Sequence, residues 1–211
     1  MGRGESSPLP SFEVNNLTLA YSSEYTVLKD LNLSINGSGI VHITAPNGYG
    51  KSTLIEAASG YLHPIYGKIL INGVDASSPE TRKYRRICRA TPALHPNLSL
   101  VDHLVLSSQL TGVSKDEAIQ RAIRFGLNIW FGKRTDALST GTRKKLWYIM
   151  CTTGKFNVAF LDEPFNGVDK ESVELMSEEI CRWSSRSLIF ISSHVIPQSL
   201  HIDMTLDLTK Y

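Results

Sequence analysis

Residues 12–21, FEVNNLTLAY, alternate apolar and polar positions, the period of a strand buried on one face. VLKDLNLSI (27–35) alternates again and ends at Asn36-Gly37, a turn pair that joins strands. GIVHITA (39–45) is a third strand, and GKILINGVD (67–75), closed by Asn72-Gly73, is a fourth. From Val101 to Gly126 the spacing turns helical, carried by Leu104, Leu106, Leu110, Ala118, Ala122 and Phe125. A second helix is predicted to begin after Ser139 and run to Thr153. NVAFLDEP (157–164) and SLIFISSH (187–194) are continuous apolar runs, as in strands covered on both faces of a parallel sheet. Residues 170–183 between them read as an amphipathic helix. The pattern predicts an α/β fold: a parallel-sheet core, an antiparallel β lobe in front and a helical insertion in the middle.

The 211 residues suit one domain with a sizeable core. Residues 1–11 are polar and Pro-rich and read as a disordered tail, the domain running over 12–211. The start, Met1-Gly2-Arg3-Gly4-Glu5-Ser6, formally fits a myristoylation pattern but reads as part of that tail. A formal net charge of +2 gives no electrostatic case for a nucleic-acid partner. Three cysteines without short spacing suggest neither a disulfide framework nor a zinc site, and a reducing compartment is expected. No run approaches the ~18 apolar residues of a membrane span. The basic run Arg82-Lys83-Tyr84-Arg85-Arg86 with Arg89 reads as a solvated surface, or as a contact to a membrane partner or anionic headgroups.

The chemistry concentrates first at residues 45–53, APNGYGKST, between an apolar run and the helix-like LIEAAS. Strand, Gly-rich turn, Lys-Ser and helix are the parts of a phosphate-binding loop. Gly48 and Gly50 allow backbone N–H groups, with those of Asn47, Tyr49 and Thr53, to close round phosphate oxygens. Lys51 is the candidate for the β- and γ-phosphates, and the Ser52 hydroxyl for Mg²⁺. Ala45 replaces the first glycine of the pattern, and Tyr49 is large for such a loop. Asp162 and Glu163 end the apolar run VAFL, where an Asp can hold Mg²⁺ through water and a Glu can polarise an attacking water. Ser139 and Gly141, at a predicted helix start, form a second candidate anion site.

Leu138-Ser139-Thr140-Gly141-Thr142, followed by Arg143-Lys144-Lys145, resembles the LSGGQ signature of the ABC ATPase family and precedes Asp162 at about that family's interval. The resemblance runs over residues 12–208. It implies a P-loop NTPase fold of the ABC nucleotide-binding type, with a helical subdomain over about 92–155. It implies ATP and Mg²⁺, with Ser52 and Asp162 at the metal and Glu163 and His194 as the catalytic pair. Tyr21 resembles the aromatic that stacks on adenine, and Asn166-Gly167-Val168-Asp169 the D-loop, which makes Asp169 a nucleotide-site residue. It further implies a head-to-tail homodimer or heterodimer of two such ATPases. In that dimer Ser139 and Gly141 complete the other subunit's site. An integral membrane subunit completes the transporter, which places the chain in the cytoplasm on the inner face of the membrane.

The chain departs from that family at several positions. The Gln expected before the helical lobe falls on Ala90 or Thr91. Thr140 and Thr142 stand where Gly and Gln are usual, and Trp147, Tyr148 and Met150 where small residues are favoured. The compact form resembles ATPase subunits of ABC-2-type exporters and haem exporters. The expected function is therefore ATP hydrolysis that drives a transporter, expected to be an exporter. The alternatives are a nucleotide-gated regulatory subunit of slow turnover, or a soluble ABC ATPase outside transport.

Overall fold

The computed structural model describes residues 9–22 and 25–211, without the side chains of Tyr21, Ser22 and Tyr25. In chain order the elements begin with β1 (Ser11–Ser22), β2 (Tyr25–Asn36), β3 (Gly39–Thr44), α1 (Lys51–Ala58), β4 (Tyr66–Ile71) and β5 (Val74–Asp75). There follow β6 (Arg85–Cys88), α2 (Leu100–Thr111), α3 (Lys115–Arg124) and α4 (Thr140–Thr152). β7 (Val158–Asp162), α5 (Lys170–Ser184), β8 (Leu188–Ser192) and β9 (Met204–Asp207) complete the chain. An antiparallel sheet of order β2-β1-β4-β5 faces a parallel sheet of order β6-β7-β8-β3-β9. Ser11, assigned from sequence to the tail, is the first residue of β1; residues 1–8 lie outside the described residues.

Alternation decides which face each strand residue covers. Val158, Phe160, Leu188, Phe190, Val41 and Ile43 point into the core between the two sheets. Ala159, Leu161, Ile189, Ile191 and Ile40 point the other way, under the helices. Both faces are buried, which is why β7 and β8 read as unbroken apolar runs. Phe12 of β1 closes the inter-sheet core edge-on against Phe160 and Phe190, with ring centroids 5.4 and 4.7 Å away. The pairing of β1 with β2 first shifts register between Val14 and Leu17, at a bulge where Asn16 has φ 47°. Opposite the bulge only glycine fits: a Cβ at Gly67 would lie 2.3 Å from the Asn15 carbonyl oxygen. Asn72 and Gly73, both at positive φ, make the tight turn into β5 expected of that pair.

The helical segment differs from the sequence reading. The helical spacing of 101–126 belongs to two helices, because Gly112 takes a left-handed φ of 69° that ends α2, and the Ser114 hydroxyl caps α3. β6 and β9, which carry too few apolar residues to stand out, complete the parallel sheet at its two edges. Arg121 of α3 reaches Glu179 of α5 at 2.6 Å, with both side chains almost fully buried. Arg121 also donates to Thr152 Oγ1 at 2.7 Å and the Ile149 carbonyl at 3.2 Å, and lies 5.2 Å from the ring centroids of Tyr148 and Trp183. Burial pulls this guanidinium's pKa down, but the charge and hydrogen bonds of Glu179 outweigh it and hold it above its usual value. The large residues of α4 thus have packing partners: Tyr148 is buried beside Phe125 and Trp183.

The basic run is not a uniformly solvated surface. Arg82 and Lys83 are exposed, but Arg85 is buried and donates to the Ala58 and Ala76 carbonyls at 2.8 and 2.6 Å. Desolvation, with Arg82 nearby, brings the Arg85 pKa down to about 10. Arg86 donates to the carbonyls of Thr153, Arg82 and Arg85, and Arg89 pairs with Glu56. Three cations of the run therefore hold the fold internally.

Candidate functional site

A cavity of about 420 Å³ opens at the C-terminal ends of the parallel strands, where open α/β sheets bind ligands. Its floor is the loop from β3 into α1. Gly48 and Gly50 have φ 84° and 92°, conformations that side-chain-bearing residues rarely adopt. At Gly50 space is also closed: a Cβ would lie 2.8 Å from Val27 Cγ1. Gly50 is the N-cap of α1 and no side chain caps that end, an arrangement suited to a helix start that faces an anion. Lys51 folds back over the loop and donates to the carbonyls of Ala45 (2.6 Å) and Pro46 (3.2 Å). Ala45 packs against the inter-sheet core, so a methyl group is accommodated where a glycine was expected.

Two carboxylates come from the end of β7. Asp162, buried, accepts from Ser52 Oγ at 2.8 Å. Along a strand the next side chain would point to the opposite face. Glu163 instead has φ 46°, and its N–H donates to the Ser192 carbonyl at 2.7 Å. That left-handed turn brings Asp162 and Glu163 to one cavity. A non-glycine residue held so is strained, as functional residues often are. Glu163 Oε1 lies 3.6 Å from His194 Nε2.

Asn47, Gly48, Gly50, Lys51, Ser52, Thr53, Asp162, Glu163 and His194 line this cavity, as do Val27, Ala90, Asn166 and Ser192. Val27 and Ser192 were not singled out in the sequence. Val27 opens an alternating run and Ser192 closes an apolar one, and neither position carries a chemical signal. Ser192 Oγ is buried and has no hydrogen-bond partner among the described residues. Ser52 and Asp162 offer hard oxygen donors, so the donor set fits Mg²⁺ with a phosphate-bearing ligand. Tyr49 is about half exposed and lines no part of the cavity, and the side chain of Tyr21, the expected adenine partner, lies outside the described residues.

Ser139 and Gly141 are also absent from this lining. Ser139 caps α4 through its hydroxyl on Thr142 N at 3.1 Å, and Thr142 Oγ1 sits 2.8 Å from the same oxygen. A Cβ at Gly141 would come within 3.0 Å of the Gly167 carbonyl, so α4 abuts the loop after β7. A second cavity, of about 590 Å³, is lined by Thr140, Arg143 and Lys144 of α4 and shares Ala90, Glu163 and Asn166 with the first. Asp169, a predicted nucleotide-site residue, caps α5 through Ser172 N at 2.9 Å and pairs with Lys145 at 3.0 Å. Burial raises its pKa, but those bonds and Lys145 outweigh it and bring the carboxyl to about 2.

A glycine-rich loop, its lysine and a serine–aspartate pair at the strand ends define a P-loop nucleotide-binding domain. The family model for ABC transporters matches residues 28–166, well over half of the chain. The chain belongs to that family and is an ATP-binding subunit that hydrolyses ATP to power transport. It is similar to the lantibiotic transport ATP-binding protein SrtF of Streptococcus pyogenes, 27% identical over 90% of this chain and 82% of that one. It is likewise 27% identical to the phosphonates import ATP-binding protein PhnC 1 of Ruegeria sp. (strain TM1040), over 78% of this chain and 72% of that one. Against the ABC transporter A family member 4 of Dictyostelium discoideum it is 26% identical and spans 12% of that protein's length. Among solved structures, an ATP-binding subunit of an ABC transporter superposes with a TM-score of 0.78, at 28% identity, over 87% of this chain and 79% of that one. Among the described residues no helix is long and apolar enough to cross a membrane.

Proposed function

We propose that two ATPase subunits, two copies of this chain or this chain and a relative, bind MgATP head to tail beneath a membrane-spanning subunit, on its inner face. Each composite site joins Lys51, Ser52, Asp162, Glu163 and His194 of one subunit to Ser139 and Gly141 of the other. The observation that carries this reading is the separation within one chain. Ser139 and Gly141 lie outside the cavity that holds the phosphate loop and both carboxylates. A second anion site at the start of α4 has a use if it meets the nucleotide of another subunit.

Within a site, the Lys51 ammonium balances phosphate charge and the α1 N-terminus orients it. Ser52 and Asp162 would hold Mg²⁺, which would supply further charge neutralisation when bound with the nucleotide. Glu163 takes the proton of the attacking water, and His194 beside it orients that carboxylate. Closure of the pair on ATP and its opening after hydrolysis would move the membrane subunit. Mixed variants test the arrangement. Lys51→Ala and Ser139→Arg chains should each be inactive alone, and their mixture should regain activity through the one site that has both halves intact. No recovery in a mixture that forms dimers would refute the head-to-tail arrangement.

One observation favours slower, partner-controlled turnover: Ala90, one of the two positions where the family's Gln is expected, presents only a methyl group to the cavity.

A further inference from the structure

Arg89, just before the missing Gln, joins two helices. Its guanidinium grips Glu56 of α1 bidentately, Nε to Oε1 at 2.5 Å and Nη2 to Oε2 at 2.8 Å, and stacks 5.6 Å from the Tyr61 ring centroid. Its backbone carbonyl accepts from Trp147 Nε1 of α4 at 3.0 Å. Glu56 lies one turn beyond Ser52 on the phosphate-loop helix, and Trp147 lies about two turns beyond the Ser139 cap. The chain Glu56–Arg89–Trp147 therefore ties the helix that starts at the phosphates to the helix that starts at the signature.

We propose that Glu56, Arg89 and Trp147 are positioning residues, a clamp that sets Ser139 and Gly141 relative to the phosphate loop of their own chain. The proposal rests on the reading that Ser139 and Gly141 complete the site of a second subunit. Three observations carry it. The clamp sits at the segment where Ala90 and Thr91 leave no side chain able to span from cavity to lobe. The fork geometry of arginine on a carboxylate fixes direction as well as distance. Arg89 and Glu56 are partly buried at 39% and 24% exposed, and Arg89→Lys keeps the charge there while losing the fork, which separates alignment from the mere presence of an ion pair. Loss of the fork should therefore register in alignment, to which composite sites are sensitive.

The test uses the full chain with MgATP. Trp147→Phe removes the indole N–H and keeps a ring, Arg89→Lys keeps the charge and loses the fork, and Glu56→Arg with Arg89→Glu exchanges the pair. Each single variant should keep ATP affinity, measured on dilute chain, within about twofold, while kcat falls about tenfold with KM little changed, the mark of an interaction used in turnover. ATP-dependent dimer formation, followed by light scattering, should weaken in parallel. The exchanged pair should recover most of both. Wild-type kcat and dimer formation in Trp147→Phe and Arg89→Lys would overturn the clamp. So would losses that track the melting temperature alone. Should the wild-type chain bind MgATP and never pair, the two-subunit reading fails first, before any variant is compared, and the clamp falls with it.

Discussion

Glu163 and His194 face each other at 3.6 Å across the mouth of the phosphate-loop cavity, and the carboxylate reaches that position only because its residue has a left-handed backbone. Two acids in succession would otherwise point to opposite faces of the sheet. The backbone reversal leaves Asp162 on the Ser52 hydroxyl and Glu163 beside His194, which under the proposed mechanism would divide metal and water between neighbouring residues.

Glu163→Gln keeps that geometry and removes the base. Hydrolysis should fall by at least ~10²-fold, the scale for a lost general base, with ATP binding retained. Phosphate release and nucleotide titration on the same preparation check both halves. A variant that hydrolyses ATP at the wild-type rate would remove Glu163 from the mechanism.

Lys51→Ala should abolish binding or turnover, because among the residues lining the cavity Lys51 is the one lysine or arginine. Its present partners are two loop carbonyls, neutral acceptors that a phosphate can replace. Nucleotide affinity and ATPase activity that are both unchanged would count against the phosphate-loop assignment.

Glu179→Ala should destabilise the fold by about 3–5 kcal/mol, since it leaves the Arg121 guanidinium buried without a counter-charge. Denaturant unfolding measures the loss. Replacing Arg121 and Glu179 together by leucine and methionine should cost much less, because no lone charge remains.

Asp169 gives a pH-dependent contribution. Its folded pKa of about 2 lies below the ordinary aspartate value, so its stabilisation is fully present above that ordinary value. It is lost as pH falls from the ordinary value through the folded one. Asp169→Asn keeps an N-cap and loses the Lys145 ion pair. The denaturant midpoints of wild type and variant should differ at neutral pH and converge on acidification below the ordinary aspartate range. A gap that does not narrow would show that Asp169 acts through its cap alone.

The parts legible in the sequence were those with local causes. The two-residue period of β1 and β2, the unbroken runs of β7 and β8, and the Gly–Lys–Ser turn each follow from short-range chemistry. What stayed hidden depends on distant partners. The alternation of β1 survives its first register shift, after Val14, only through a bulge answered by Gly67, some fifty residues away. Gly112 and Ser114, a stop and a start in succession, were in plain view but were overridden by helical spacing that continues on both sides. The basic run looked like surface because no local feature says that Arg85 ends on two carbonyls, Arg86 on three, and Arg89 on Glu56. Cations reveal their partners only in three dimensions. Trp147 and Tyr148 likewise looked like intruders in a small-residue helix until the Arg89 carbonyl and Arg121 supplied their neighbours.

The absent Gln yields the sharpest prediction, because the structure separates the two positions that sequence left open. Ala90 lines both the phosphate-loop cavity and its neighbour, whereas Thr91 lines the neighbour alone. A Gln amide at 90 would therefore start in the same cavity as Asp162 and Glu163, where the proposed Mg²⁺ and water would lie, offering both an acceptor and a donor. The same amide at 91 starts outside that cavity. Ala90→Gln should raise the basal turnover of the isolated chain and make it less dependent on the membrane subunit. Thr91→Gln should leave turnover near wild type. Trp147 and Arg89 are untouched by either change, so any gain belongs to the amide and not to a shift of α4. Steady-state ATPase rates with and without the membrane subunit decide the matter. A gain at 91 and none at 90 would reverse the assignment. If neither variant alters turnover or its response to the partner, the slow, partner-controlled reading loses its structural basis.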